Sequence, residues 1–81
     1  MVKDNEQLSL FGLRVRLYRN RLGLSQEQLA AKANVHRTYI GTVERGETNI
    51  TLLNIYKLAK ALQVDVEELI NNYDTLSSLK Q

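Results

Sequence analysis

Leu24-Ser25-Gln26-Glu27-Gln28-Leu29-Ala30-Ala31-Lys32-Ala33-Asn34 followed by Val35-His36-Arg37-Thr38-Tyr39-Ile40-Gly41-Thr42-Val43-Glu44-Arg45-Gly46 reads as two short helices joined by a tight turn. Ser25 can cap the amides of the first helix while Gln28 reaches back, a capping-box arrangement that stabilises by about 1 kcal/mol. Leu29, Ala30 and Ala33 share an inward face. The helix stops at Asn34, one of the few residues that tolerates a left-handed conformation. The second helix begins around His36 and turns Ile40 and Val43 inward, which leaves Arg37, Thr38, Gly41, Thr42 and Arg45 outward. Ala30 is small enough for a close crossing, with Ile40 opposite and Val35 completing the seam. This pattern, over about 26–45, is the helix-turn-helix unit.

Upstream, Leu8, Phe11, Val15, Tyr18 and Leu22 recur at three- and four-residue spacing, predicting a helix that Gly23 ends. Downstream, Thr51 caps a fourth helix with Leu52, Ile55, Leu58, Ala59 and Leu62 inward. Asp65 caps a fifth over about 65–73, carrying Val66, Leu69, Ile70 and Tyr73, and residues 74–81 read as a frayed tail. With no Pro, four Gly and no strand alternation, the expectation is all-α. At 81 residues without a linker-like stretch, the chain reads as one domain over 1–81. So short a chain buries a modest fraction of its surface, and pairing with a second copy would add to it.

Composition removes several classes of function. There is no Cys and one His, so neither a thiolate zinc site nor a histidine cluster can form, and no metal or other cofactor is expected. No apolar run reaches the roughly 18 residues of a membrane span, and the start of the chain is polar, so the protein reads as soluble and cytoplasmic. No Ser–His–Asp arrangement, carboxylate pair on one face or Gly-rich phosphate loop is present, which argues against an enzyme. The net charge of +2 is small but uneven. Residues 1–45 hold eight Lys/Arg against four Asp/Glu, and residues 46–81 three against five. The basic half can face phosphate, although solvated charge without a partner is an equal alternative at this point.

In a helix-turn-helix, the N-terminal part of the second helix enters the major groove of double-stranded DNA, where base edges present distinguishable donors and acceptors. Arg37, Thr38 and Thr42 lie there and are the base-reading candidates. An Arg can donate twice to guanine N7 and O6, and a Thr offers a hydroxyl to any base and a methyl to thymine. The start of the first helix of the pair, near Gln26, is an anion site suited to phosphate. Tyr39, Arg45 and Asn49 are further phosphate candidates, which would fix register without reading sequence. Each has a structural alternative: Arg37 as solvated charge, Tyr39 packed on the core, Gln26 as capping only. His36 is a cap or a phosphate neighbour rather than a pH switch.

Leu24 to Ala30 and Val43-Glu44-Arg45-Gly46 resemble the signature segments of the Xre-type family of phage repressors and bacterial regulators, a similarity running from Phe11 to about Leu69. Arg37-Thr38-Tyr39-Ile40 with Asn49-Ile50-Thr51 is most similar to the controller proteins of restriction–modification systems. The sequence departs from the family at Asn34, often Gly, at Gly41, often Ser, and at Glu47, where controllers carry a basic residue. Gly41 costs a helix about 1 kcal/mol relative to Ala, and a close approach to DNA is one reason for it. The resemblance implies a five-helix, lambda repressor-like domain. It also implies that Arg19 and Glu44 form a structural ion pair between the first and third helices. It further implies a homodimer through the fifth helix, with Val66, Ile70 and Tyr73 at the interface, reading a pseudo-palindromic operator without a small-molecule ligand. The regulated system would be restriction–modification. A phage-type repressor, an antitoxin, or an interaction module that has lost DNA binding are the alternatives.

Leu10, Leu13 and Leu17 form a second apolar stripe on the first helix, away from the core-facing one. A partner subunit or a transcription protein such as RNA polymerase can dock there, or the N-terminus or tail can cover it.

Overall fold

A computed structural model describes residues 5–71, in which five helices and no strand follow one another. They are α1 (Glu6–Arg21), α2 (Gln26–Ala33), α3 (Arg37–Glu44), α4 (Leu52–Leu62) and α5 (Val66–Ile70). Tyr73 and the tail 74–81 lie outside the described residues.

The helix ends follow from local chemistry. Asn5 Oδ1 accepts from the amides of Gln7 and Leu8 at the start of α1. Ser25 Oγ accepts from Gln28 N at 3.0 Å while Gln28 Oε1 accepts from Ser25 N at 2.8 Å, closing the expected capping box on α2. Asn34 ends α2 in the left-handed region at φ 58°, ψ 48°. Thr51 Oγ1 caps α4 through Asn54 N, and Glu68 reaches back to Asp65 N at the start of α5.

Phe11 and Val15 of α1, Leu29, Ala30 and Ala33 of α2, Ile40 and Val43 of α3, Leu58, Ala59, Ala61 and Leu62 of α4, and Leu69 of α5 make one core. Each fully buried Leu or Ile contributes about 1.5–3 kcal/mol by leaving water. Helix α3 packs against both α1 and α2, α4 packs against α2 and α1, and α5 packs against α1 and α4. The two helices of the central unit are therefore braced from behind, with one face of α3 free.

Three sequence expectations are corrected. Leu22 is 39% exposed rather than inward, because α1 ends at Arg21 and the chain turns at Leu22. Leu24, after the turn, packs on the core instead. Leu52 is 65% exposed: the side chains that α4 packs inward are Ile55, Leu58, Ala59, Ala61 and Leu62, so its outer face shows Leu52, Leu53 and Tyr56. Gly41 is buried rather than outward, since the side chains of Arg45 and Gln26 fold over it.

Gly12 sets how closely α1 and α3 approach. A Cβ there would lie against Val43 O and 2.6 Å from Glu44 O, atoms of a helix backbone that cannot yield without moving α3. Arg14, beside it, is buried, and its Nη2 donates to Asn71 O at 2.7 Å, satisfying a carbonyl at the end of α5.

Candidate nucleic-acid interface

Glu44, the last residue of α3, has a side chain with no solvent exposure, yet it remains ionised. Arg19 grips it with both prongs of the guanidinium, Nε to Oε2 at 2.6 Å and Nη2 to Oε1 at 3.1 Å, while Nη1 donates to Leu24 O at 2.7 Å. Gln26 Nε2 donates to Oε1 at 3.0 Å, and Arg16 Nε approaches the same oxygen at 3.5 Å. Burial by itself would push the Glu44 carboxyl up, but the hydrogen bonds of Arg19 and Gln26, the Arg19 charge and the Arg16 contact outweigh it and hold it below its ordinary value. One carboxylate thus ties α1, the start of α2 and the end of α3 into a single rigid corner, with Arg19 and Glu44 paired as the resemblance implies.

Gln26 has its amide committed to Glu44, so its side chain is a brace as well as a candidate ligand. The backbone amides at the start of α2 remain a positive feature: Ser25 satisfies Gln28 N, and the first-turn N–H groups ahead of it have no acceptor within the helix. A groove lined by Gln26, Glu27, Arg37, Thr38, Gly41 and Arg45 runs from this helix start across the face of α3. Its floor is Gly41.

Along α3 the candidate side chains are presented unequally. Arg37 and Thr38, in the first turn, are exposed. Thr42 is half-buried, and its hydroxyl donates to Tyr39 O at 2.8 Å, so toward a base it offers its methyl and oxygen lone pairs rather than its proton. Tyr39 packs its ring against the core, and its hydroxyl oxygen accepts from Asn54 Nδ2 at 3.0 Å, which leaves the phenolic proton able to donate outward. His36 is the cap of α3, its Nδ1 facing Thr38 N at 3.4 Å. Arg45 lies half-exposed at the far end of α3, paired with Glu47 at 3.0 Å, and Asn49 is exposed in the following loop.

The structure therefore brings Gln26, Arg37, Thr38 and Arg45 to one groove and sets Thr42 and Tyr39 on the same short helix. Asn49 is on the loop that follows it. Val66 is half-buried on α5 and Ile70 is 51% exposed, away from this groove. Sequence reasoning missed the role of Gln26 in holding Glu44, and it missed Arg16; no spacing rule announces a contact between helices 18 or 28 residues apart. Among the described residues no group of three or more potential ligands could hold a metal ion, and no helix is long and apolar enough to cross a membrane.

The Helix-turn-helix family model (HTH_3) matches residues 15–69. Control protein C.SmaI of Serratia marcescens is 57% identical over 56 residues, covering 69% of this chain and 67% of the relative. Among solved structures, the restriction–modification controller protein C.AhdI of Aeromonas hydrophila superposes with a TM-score of 0.78 at 48% identity, covering 80% of this chain and 98% of that one. The P22 c2 repressor protein in complex with a synthetic operator superposes with a TM-score of 0.72 at 34% identity, covering 75% and 92%. The repressor-like arrangement of helices is thus shared with proteins whose identity to this chain is well above the level at which only a fold can be inferred.

Proposed function

The chain belongs to the Xre-type helix-turn-helix family, and from that premise we propose that it is a sequence-specific DNA-binding regulator of transcription, a controller protein of a restriction–modification system. The observation that carries this reading is the exposed first turn of α3, Arg37 and Thr38, on a helix locked at its other end by the buried Glu44 hub. A reading head must be rigid to discriminate, because each bidentate base contact gives only about 1–3 kcal/mol and a loose helix would spend it on ordering.

In this mechanism Arg37 donates to guanine in the major groove, and Thr38 and Thr42 contact neighbouring bases. The start of α2 at Gln26 takes a phosphate, with Tyr39, Arg45 and Asn49 on further phosphates to set register. For Arg45 this means exchanging its exposed pairing with Glu47 for a phosphate, a small loss because exposed pairs contribute about 0–1 kcal/mol.

The chain acts as a homodimer through α5, with Val66 and Ile70 at the interface and Tyr73 following, and the exposed Leu52, Leu53 and Tyr56 of α4 extend the apolar surface available for pairing. Two copies related by a two-fold axis would read half-sites about 10 base pairs apart or a multiple of that. Concentration sets occupancy of the operator in the cytoplasm, and the bound dimer recruits or excludes RNA polymerase.

Selection of bound duplexes from a random pool, followed by titration of the winner at several salt concentrations, tests this reading. A two-fold symmetric site with affinity falling steeply as salt rises is expected. No enriched sequence would overturn it in favour of an interaction module that keeps the fold without DNA.

A further inference from the structure

Lys32 of α2 and Lys57 and Lys60 of α4 line one cleft of about 370 Å³, where these two packed helices end. Asn34 and Gln63, the left-handed residues that close α2 and α4, line it too. It shares no residue with the reading groove, which begins at Gln26, the opposite end of α2.

The charge in this cleft is uncompensated. Lys57 and Lys60 are three apart on one helix face, where like charges repel. No carboxylate lines the cleft, and none of the three ammonium groups has an ion-pair or hydrogen-bond partner among the described residues. Acids are not scarce in this half of the chain: residues 46–81 hold five Asp/Glu against three Lys/Arg, and Lys57 and Lys60 are two of those three cations. The helix ends give the lysines one internal use, since each carries about half a negative charge. Two such ends offset about one unit, which leaves an excess of about two positive charges over the cleft.

We propose that this cleft is an anion site for a phosphate-bearing ligand with two or more negative charges, separate from the phosphate contacts of the reading face. Lysine ammonium groups are compact charges that suit phosphate oxygens, and the amides of Asn34 and Gln63 add neutral donors. The volume falls within the roughly 300–1,000 Å³ of small-ligand sites. An acidic polypeptide fits less well, because Ala33 and Ala61 are the only apolar lining and offer no hold for an anchoring side chain. The phosphate can belong to a free polyphosphate or to DNA beside the operator, and salt dependence separates the two.

Inorganic tripolyphosphate titrated into the full chain, followed by amide chemical shifts, tests the proposal. Shifts at Asn34 and Gln63 are expected, with affinity falling at least about tenfold in Lys57→Gln with Lys60→Gln and less than about twofold in Arg21→Gln, an exposed cation outside the cleft. Both lysines are exposed, so the double variant should keep the wild-type thermal midpoint. If the phosphate is that of DNA, the double variant also lowers the salt slope of duplex binding by about two; if it is that of a free ligand, the slope is unchanged. Tripolyphosphate binding that the two substitutions do not weaken, or no binding together with an unchanged duplex slope, would overturn the proposal. A hexaglutamate peptide that binds more tightly than tripolyphosphate would overturn it in favour of an acidic protein partner.

Discussion

At the scale of the residue, Glu44 concentrates the energetics of the molecule. Its two oxygens collect donors from Arg19, Gln26 and Arg16, and its partner Arg19 is only 12% exposed at the side chain. Glu44→Gln leaves that guanidinium largely buried opposite a neutral group, so a loss of about 3–5 kcal/mol is expected in urea unfolding. Because the folded state holds the carboxyl below its ordinary value of 4.5, it binds the proton less tightly than the unfolded chain does. The stabilisation is present above that value and is lost as pH falls through the folded one. The thermal midpoint of the wild-type chain should fall on acidification through this window, and the acid limb should be shallower in Glu44→Gln. The pair itself could be read from the sequence through family resemblance. The two further donors could not, because Gln26 carries a sequence signal for capping and Arg16 one for solvated charge.

At the scale of the element, helix boundaries were legible wherever a side chain bonds its own neighbours. Ser25 with Gln28, the left-handed Asn34 and Thr51 all sit where local rules place them. What depends on a distant helix was hidden: the exposure of Leu52 depends on where the core stops, and the burial of Gly41 depends on Arg45 and Gln26 folding over it. Gly12 is the clearest case, an ordinary helix position by sequence whose missing Cβ lets α3 approach α1 backbone to side. Gly12→Ala would ordinarily help a helix by about 1 kcal/mol, but here the new methyl meets carbonyls of Val43 and Glu44. Net destabilisation of about 1–3 kcal/mol is expected, measured by denaturant midpoint, with weakened DNA binding because the end of α3 moves.

At the scale of the whole molecule, the proposed reading head and the proposed assembly surface lie on different helices. Arg37 and Thr38 lie on α3, while Ile70 lies on α5. Ile70 is half-exposed and its inner half faces Phe11, Ile55 and Leu69, so Ile70→Asp should cost the monomer about 1 kcal/mol, to be measured beside self-association. In sedimentation equilibrium it should weaken self-association at least about tenfold, an interface loss of about 1.4 kcal/mol. Operator affinity should fall with it, while half-site preference stays as in the wild type. An Ile70→Asp chain that associates normally would move the dimer surface elsewhere, with the first turn of α4 the next candidate.

In the proposed mechanism α3 reads bases through Arg37, and binding of wild type and Arg37→Ala to the selected site and to each of its single-base variants measures this. Loss of about 1–3 kcal/mol in the mutant, with discrimination relaxed at one guanine per half-site and unchanged elsewhere, is the predicted result. A mutant that binds more weakly by the same factor at every variant would make Arg37 a phosphate contact, and one that binds as the wild type does would take Arg37 out of the interface.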